Sequence, residues 1–179
     1  KNSLDFFTDD KKTFNGSLEF KPFYLQADLD YKGISTKDVL NKNSVIVDLI
    51  KSEIFHNENL NVNIKLSVED IINIDELNNL ILNIGLEQGD ITLTNSRIMW
   101  KNDLELSMTE GILSYDNDEI YLIGRVLVNA NNIDNFYKSF QVKKVKRKKI
   151  NELEFDFIYN LNQNKFQFDN IKIDKKSSP

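Results

Sequence analysis

The chain contains no cysteine, which excludes disulfide frameworks, thiolate catalysis and iron–sulfur ligation and leaves the cellular compartment open. Its one histidine, His56, follows a helical pattern in Phe55-His56-Asn57 and reads as a structural or solvated side chain. With two prolines and six glycines there is no flexible linker and no phosphate-cradling glycine loop. Nucleophile elbows and calcium loops are missing as well. Long apolar runs are also lacking: stretches such as Val45-Ile46-Val47 fall far short of the roughly 20 residues of a membrane-spanning helix. The first residue is Lys1, so the 179 residues are expected to be part of a longer protein, with any targeting or anchoring element upstream.

What is present is a globular composition with charged residues at 28%, a net charge of −5 and a mean hydropathy of −0.43. Its length suits one domain, expected to span 1–174 with a frayed tail over 175–179. Period-two alternation dominates. Leu153, Phe155, Phe157 and Tyr159 alternate with Glu154, Asp156, Ile158 and Asn160, the mark of a strand with one wet and one dry face. The same rhythm puts Val62, Ile64 and Leu66 on the dry side of 60–68, Leu25 and Leu29 on that of 25–31, and Leu104, Leu106 and Met108 on that of 104–108. Further strands are expected at 14–20 (Leu18, Phe20), 80–87, 90–95 (Ile91, Leu93), 97–101, 111–115, 119–129 (Ile120, Leu122, Val126) and 165–173. The 119–129 segment is apolar on both faces, and Gly124 within it marks a bulge or a close approach. Between Phe168 and Ile171 the apolar phase slips by one, which calls for a bulge near Asn170.

Turn signals at Asn15-Gly16, Gln88-Gly89-Asp90, Lys101-Asn102-Asp103, Glu110-Gly111, Asp116-Asn117-Asp118 and Asn162-Gln163-Asn164 separate the runs. Short turns imply antiparallel neighbours. Two helices interrupt the strands, at about 36–55, with a capping box from Ser35 to Asp38, and at 132–141, where Ile133, Phe136, Tyr137 and Phe140 share a stripe. Residues 69–79 fit either a helical turn or a strand end. The expected class is mainly β with a minor α component: a curved antiparallel meander forming a groove or a sandwich-like sheet, with two helices.

Paired carboxylates occur, as in Asp28/Asp30 and Glu152/Glu154/Asp156, but these are the polar halves of amphipathic strands and read as solvated rather than catalytic. The sharpest local feature is the basic run Lys143, Lys144, Lys146, Arg147, Lys148 and Lys149. It fits a solvated edge or loop, or an anionic headgroup surface; nucleic acid is disfavoured because no aromatics interleave with it and the remaining charge is acidic. The dry strand faces exceed what two helices can cover. They must meet a second sheet, or curl into an apolar trough in which an acyl chain gains about 0.8 kcal/mol per buried methylene. The named dry-face residues are therefore the candidate lipid-contacting set. Packing into a structural or protein-interaction scaffold, or a carbohydrate-binding sandwich with aromatics around Trp100 or Tyr121, are the alternatives.

Three stretches carry a family resemblance. Gly16-Ser17-Leu18-Glu19-Phe20 leads into Phe23-Tyr24-Leu25-Gln26-Ala27-Asp28-Leu29, and Leu86-Glu87-Gln88-Gly89-Asp90-Ile91-Thr92-Leu93-Thr94-Asn95-Ser96 leads into Ile98-Met99-Trp100. Ile120-Tyr121-Leu122-Ile123-Gly124-Arg125-Val126 runs through Phe136-Tyr137 to Phe168-Asp169-Asn170-Ile171-Lys172-Ile173-Asp174. Over roughly 14–174 the chain resembles the AsmA-like bacterial envelope proteins, through degenerate β-repeat signatures. The resemblance implies a periplasmic body anchored to the inner membrane by an N-terminal helix outside this segment. It also implies long curved β-structure with a hydrophobic groove, and a part in phospholipid movement or outer-membrane assembly. Phospholipid or another acyl-chain lipid is the implied ligand, and membrane surfaces or envelope proteins the implied partners. No cofactor and no catalytic residue come with it.

Overall fold

Residues 3–7, 14–20, 23–35, 59–87 and 90–177 are described by the computed structural model. The chain is mainly β: a 12-stranded sheet, mostly antiparallel. Its strands are β1 (Ser3–Phe7), β2 (Phe14–Phe20), β3 (Phe23–Ser35), β4 (Leu60–Ile72), β5 (Leu77–Glu87), β6 (Asp90–Thr92), β7 (Ser96–Trp100), β8 (Leu104–Asp116), β9 (Glu119–Ala130), β10 (Glu152–Asn160), β11 (Lys165–Ile173) and β12 (Lys176–Ser177). One helix, α1 (Ile133–Ser139), and a 3-10 turn (Lys144–Lys146) sit between β9 and β10. The first expected helix, its capping box from Ser35 to Asp38, and His56 fall largely or wholly on 36–58, outside the described residues.

Strand order follows chain order with two departures from a plain meander. The β3 and β4 strands are parallel, Leu25 opposite Val62 and Leu29 opposite Leu66, so short turns do not account for every neighbour. Parallel strands need a crossover of a dozen or more residues, and the 36–59 segment supplies that length. Secondly, β6 and β7 share one lane: β6 pairs with the C-terminal part of β5, β7 with its N-terminal part, and both pair with β8. At the break Asn95 takes a positive φ of 57, and Asn83 clamps it by donating its side-chain amide to the Asn95 carbonyl at 2.7 Å.

Two expected turns are strand interior. Asn15-Gly16 lies inside β2, Gly16 opposite Ala27, and Glu110-Gly111 lies inside β8, Gly111 opposite Gly124. Flanking alternation continues through both pairs, and the ladder overrides the local turn preference. Residues 69–79 resolve as the end of β4, a turn, and the start of β5. Residues 175–177, expected in the tail, are ordered: Asp174 and Lys175, at φ 47 and 65, make a two-residue turn that returns Lys176 to pair with Ile173.

In a chain poor in glycine, asparagine supplies most left-handed positions, because its short polar side chain tolerates that conformation. Asn73, Asn79, Asn95, Asn117, Asn164 and Asn170 all have positive φ, and Asn117 with Asp118 forms the β8–β9 hairpin turn. Asn170 is the expected bulge: the β10–β11 register shifts between Glu154/Lys172 and Asp156/Asp169. Another bulge falls on β8 between Met108 and Glu110. Gly124 makes a close approach: a Cβ there would stand 2.5 Å from the Glu110 carbonyl oxygen and 3.3 Å from the Phe157 ring.

The densest packing gathers on Ile120, 2% exposed, with Ile91, Leu113, Tyr115 and Leu161 around it. The Ile120 backbone is held on both sides, its N–H donating to Asn162 Oδ1 at 2.9 Å and its carbonyl accepting from Leu161 N–H at 2.9 Å. On the opposite face Ile112 is 49% exposed. Ile120→Ala is therefore expected to cost about 2–4 kcal/mol, a buried truncation that leaves a cavity, and Ile112→Ala less than about 1 kcal/mol. Urea denaturation of the two variants measures both, and equal losses contradict this placement of the core.

Candidate functional site

Register, followed strand by strand, puts the dry sides of the strands on one face. Leu18 opposes Leu25, Leu25 opposes Val62, and Val62 opposes Leu86. Leu86 then opposes Ile91, Ile91 opposes Leu113, and Leu113 opposes Leu122. Leu122 opposes Tyr159, which opposes Phe166. Directly opposed residues point to the same side of a sheet. These residues therefore form one unbroken apolar row from β2 to β11, eight inter-strand steps that span roughly 40 Å at about 4.8 Å each.

The other candidates fall beside this row on the same face. Phe20 pairs with Phe23, Ile64 with Ile84, and Leu29 with Leu66. Leu104 pairs with Ala130, Leu106 with Val128, Met108 with Val126, Val126 with Phe155, Val128 with Leu153, and Phe157 with Phe168. Leu93 extends the β6 ladder through its N–H to the Gly111 carbonyl at 2.8 Å, and its Cβ lies where a Gly111 side chain would point. Most of these side chains are half-buried, while Ile120, Leu104 and Phe157 are buried. Toward β11 the face becomes aromatic. Tyr159 stacks on Phe166 at 4.1 Å, Phe166 on Phe168 at 5.8 Å, and Phe155 meets Phe168 edge-on at 5.5 Å. Phe166 and Phe168 remain 53% and 57% exposed.

At the end of the face where β7 stops and β8 starts, α1 folds over Trp100. Phe136 and Phe140 lie 5.7 and 5.5 Å from the indole, ring centre to ring centre. Asp103 fixes α1 there: its carbonyl accepts the N–H of Asn131 and Asn132, and its carboxylate accepts the Asn135 amide at 3.1 and 3.3 Å. The indole N–H of Trp100 is buried with no partner among the described residues. Trp100 is thus covered, and Tyr121 lies on the polar face, so the two residues named for a sugar platform are on opposite sides of the sheet.

The basic run occupies the loop from α1 to β10, at the same end. Lys143, Lys144, Lys146, Lys148 and Lys149 are exposed. Arg147 is half-buried, its Nε donating to the Val142 carbonyl at 2.9 Å, and the Tyr137 hydroxyl donates to the Lys148 carbonyl at 2.9 Å. The first bond ties the loop to itself and the second pins it to α1, and both leave the ammonium groups in solvent.

On the opposite face, Asp28, Asp30, Glu154 and Asp156 alternate with the apolar rows. Arg125 gathers Asp156 at 2.8 Å, Glu110 at 3.7 Å and Glu154 at 3.9 Å, and Lys172 pairs with Glu154 at 2.7 Å. The Arg125 guanidinium and then the Asn170 amide hold the Asp156 carboxyl below the usual carboxylate range. Glu119 accepts from Tyr121, Gln163 and Asn160, at 2.5, 2.6 and 2.7 Å, which lowers its pKa and raises that of Tyr121. Both shifts lead away from neutral pH, so this knot ties the β10–β11 turn to β9 and does not poise a proton donor. Backbone N–H groups of Asn151 and Glu152 lower the Asp174 carboxyl similarly.

Sequence reasoning did not find the Arg125 cluster, whose members are scattered along the chain, nor the row Ile112–Ile123–Ile158 beside it on the polar face. Of that row, the lone apolar residue of β10's wet side, Ile158, was the visible sign. Open hollows on this face include one of about 1040 Å³, lined by residues including Asp30, Ser67, Ile81, Arg97, Met99 and Glu105. Among the described residues no group of acidic and histidine side chains could hold a metal ion, and no helix is long and apolar enough to cross a membrane. A scan of protein-family models and searches of curated proteins and solved structures found no match to the chain.

Glu119, Asp156 and Asp174 bind protons more weakly folded than unfolded. Their contribution is present above the unfolded carboxylate pKa, near pH 4, and is lost as pH falls through the lower folded values. Melting temperature is expected to fall below about pH 4, with a shallower fall for Asp156→Asn. Thermal melts at pH 7 and in steps down to about pH 2.5 measure this; the same acid slope in both proteins contradicts it.

Proposed function

We propose that this chain is a non-enzymatic lipid-handling module, in which the continuous apolar face of the sheet receives acyl chains and the basic loop contacts anionic headgroups. The observation that carries the reading is the unbroken row from Leu18 to Phe166. Such a row offers dispersion contact along a whole acyl chain, at about 0.8 kcal/mol per methylene removed from water, and needs no directed polar contact. Half-burial of most of its residues and the exposed Phe166 and Phe168 support it, since a face of this extent so sparsely covered by the described residues is unusual in a monomer. The basic loop at the Trp100 end adds positive charge beside the face in a protein of net −5. In this proposal the module belongs to a periplasmic, membrane-anchored envelope protein of the AsmA-like kind and serves phospholipid movement or outer-membrane biogenesis.

A second reading, a scaffold whose apolar surface is filled by its own chain, draws on the packing of α1 over Trp100. Trp100, the sole tryptophan, lies on the face in question and reports on both. Under the lipid reading, gently purified protein carries phospholipid adducts in native mass spectrometry, and phospholipid with brominated acyl chains quenches Trp100 fluorescence to saturation. Absence of both, with lipid in excess, decides for the scaffold.

The basic loop makes a separate expectation. Each lysine near an anionic surface is worth about 1 kcal/mol, so replacing Lys143, Lys144, Lys146, Lys148 and Lys149 together by Gln lowers affinity for phosphatidylglycerol vesicles by at least about a hundredfold. Vesicle co-sedimentation at low and high salt measures it, and salt-independent binding unchanged by the substitutions removes the loop from the proposal.

A further inference from the structure

We infer that β11 is a dimer interface, at which two copies of this chain pair antiparallel about a two-fold axis through Gln167. Along β11, the pairing of β12 covers only Lys172 and Ile173, which leaves Lys165 to Asn170 without a described strand partner on the side away from β10. An exposed edge of this kind is a template for another strand, and it is usually blunted by proline, by a bulge or by inward-pointing charge. From Lys165 to Asp169 there is no proline, no bulge and no charge on the apolar side; the bulge comes only at Asn170, and the two charged residues, Lys165 and Asp169, bracket the segment with opposite signs.

Self-complementarity of this segment identifies the occupant. In Lys165-Phe166-Gln167-Phe168-Asp169, an antiparallel pairing centred on Gln167 sets Lys165 against Asp169 of the second copy. It sets Phe166 against Phe168 and Gln167 against itself. Both charge pairs are then of opposite sign on the polar face, and both aromatic pairs fall on the apolar face. A slip by one residue would put Phe166 against Asp169 and turn one sheet over relative to the other, and a slip by two, which keeps the faces, would lose both Lys165–Asp169 pairs, so the charges select this register. Among the described residues of one chain, Asp169 Oδ1 accepts only the neighbouring Asn170 N–H at 2.8 Å and Lys165 has only the field of Glu119 nearby, so the aromatic and charged groups of the pairing each gain from the second copy. Phe166 and Phe168 are more than half exposed. Asp169 faces the like-charged Asp156 across the β10 ladder, and among the described residues no ion pair reaches Asp169 or Lys165. The contact is isologous and closes at two copies. It joins two sheets into one, with the apolar row continuing from Phe166 of one copy into Phe168 of the next, and it does not depend on whether that face carries lipid.

The absence of cysteine makes the test direct. Gln167→Cys places one thiol per chain on the axis, with Cα atoms about 4.5–5.5 Å apart, within disulfide reach. In Lys165→Cys the thiols are about 13 Å apart, out of reach. Mild oxidation of the full chain is expected to give a covalent dimer with the first and not with the second. Light scattering is expected to show a wild-type dimer. Lys165→Asp and Asp169→Lys each set like charges against one another twice and raise the dimer Kd about tenfold or more. An equimolar mixture of the two regains the dimer, because the new carboxylate at 165 then faces the new ammonium at 169. Far-UV circular dichroism confirms the sheet in each charge variant; should one lose it, the cysteine pair decides. A wild-type monomer at every concentration, equal crosslinking of both cysteine variants, charge variants that dimerise like wild type, or a ladder of higher oligomers from β11 meeting another edge overturns the inference.

Discussion

Phase is the constraint on which the structure depends. A strand shows alternate residues to opposite sides, so one unit of slip anywhere would carry every later apolar residue to the wrong face. Over nine strands the chain makes no such error: Leu18, Leu25, Val62, Leu86, Ile91, Leu113, Leu122, Tyr159 and Phe166 stand opposite one another in turn. Two bulges, before Glu110 in β8 and at Asn170 in β11, fall where the apolar pattern itself slips, and so restore the phase. Hydrophobic burial drives the arrangement, and the ladder hydrogen bonds fix its increments.

Around β8 and β9 the chain itself packs on both ends of the apolar face. Leu161 and the Asn162 side chain secure the Ile120 end, and α1 with its aromatic residues covers Trp100 at the other. Between them the side chains are mostly half-buried, and toward β11 they become exposed aromatics. That gradient runs from a packed core to a surface that a lipid, in the proposed function, or a second copy, in the inferred dimer, removes from water. The hollows on the polar face are a separate feature, lined by charged and amide side chains together with Ile81, Met99, Ile112, Ile123 and Ile158.

Much of this was legible from the residues. Clean alternation in Leu153 to Tyr159 and in Leu60 to Val68 gave β10 and the body of β4, and the stripe of Ile133, Phe136, Tyr137 and Phe140 gave α1. The bulge at Asn170 and the close approach at Gly124 were visible as interruptions of a period. Asn15-Gly16 and Glu110-Gly111 misled, because a local turn preference of this kind is weaker than a ladder that buries apolar residues on both sides of it. The Arg125 cluster was out of reach, since Glu110, Glu154, Asp156 and Lys172 become its neighbours only through pairing across β8 to β11.

By itself the sequence determined which side of each strand would be dry, because that is a property of alternation within a few residues and needs no partner. It also determined where most turns fall, because left-handed asparagines and aspartates act locally. Only the tertiary structure decided that all the dry sides would join into one face, that β3 and β4 would run parallel, and that β6 and β7 would share a lane. These are choices of partner between segments distant along the chain. They are settled by the summed burial and hydrogen bonding of whole strands, a quantity that no short stretch of residues contains.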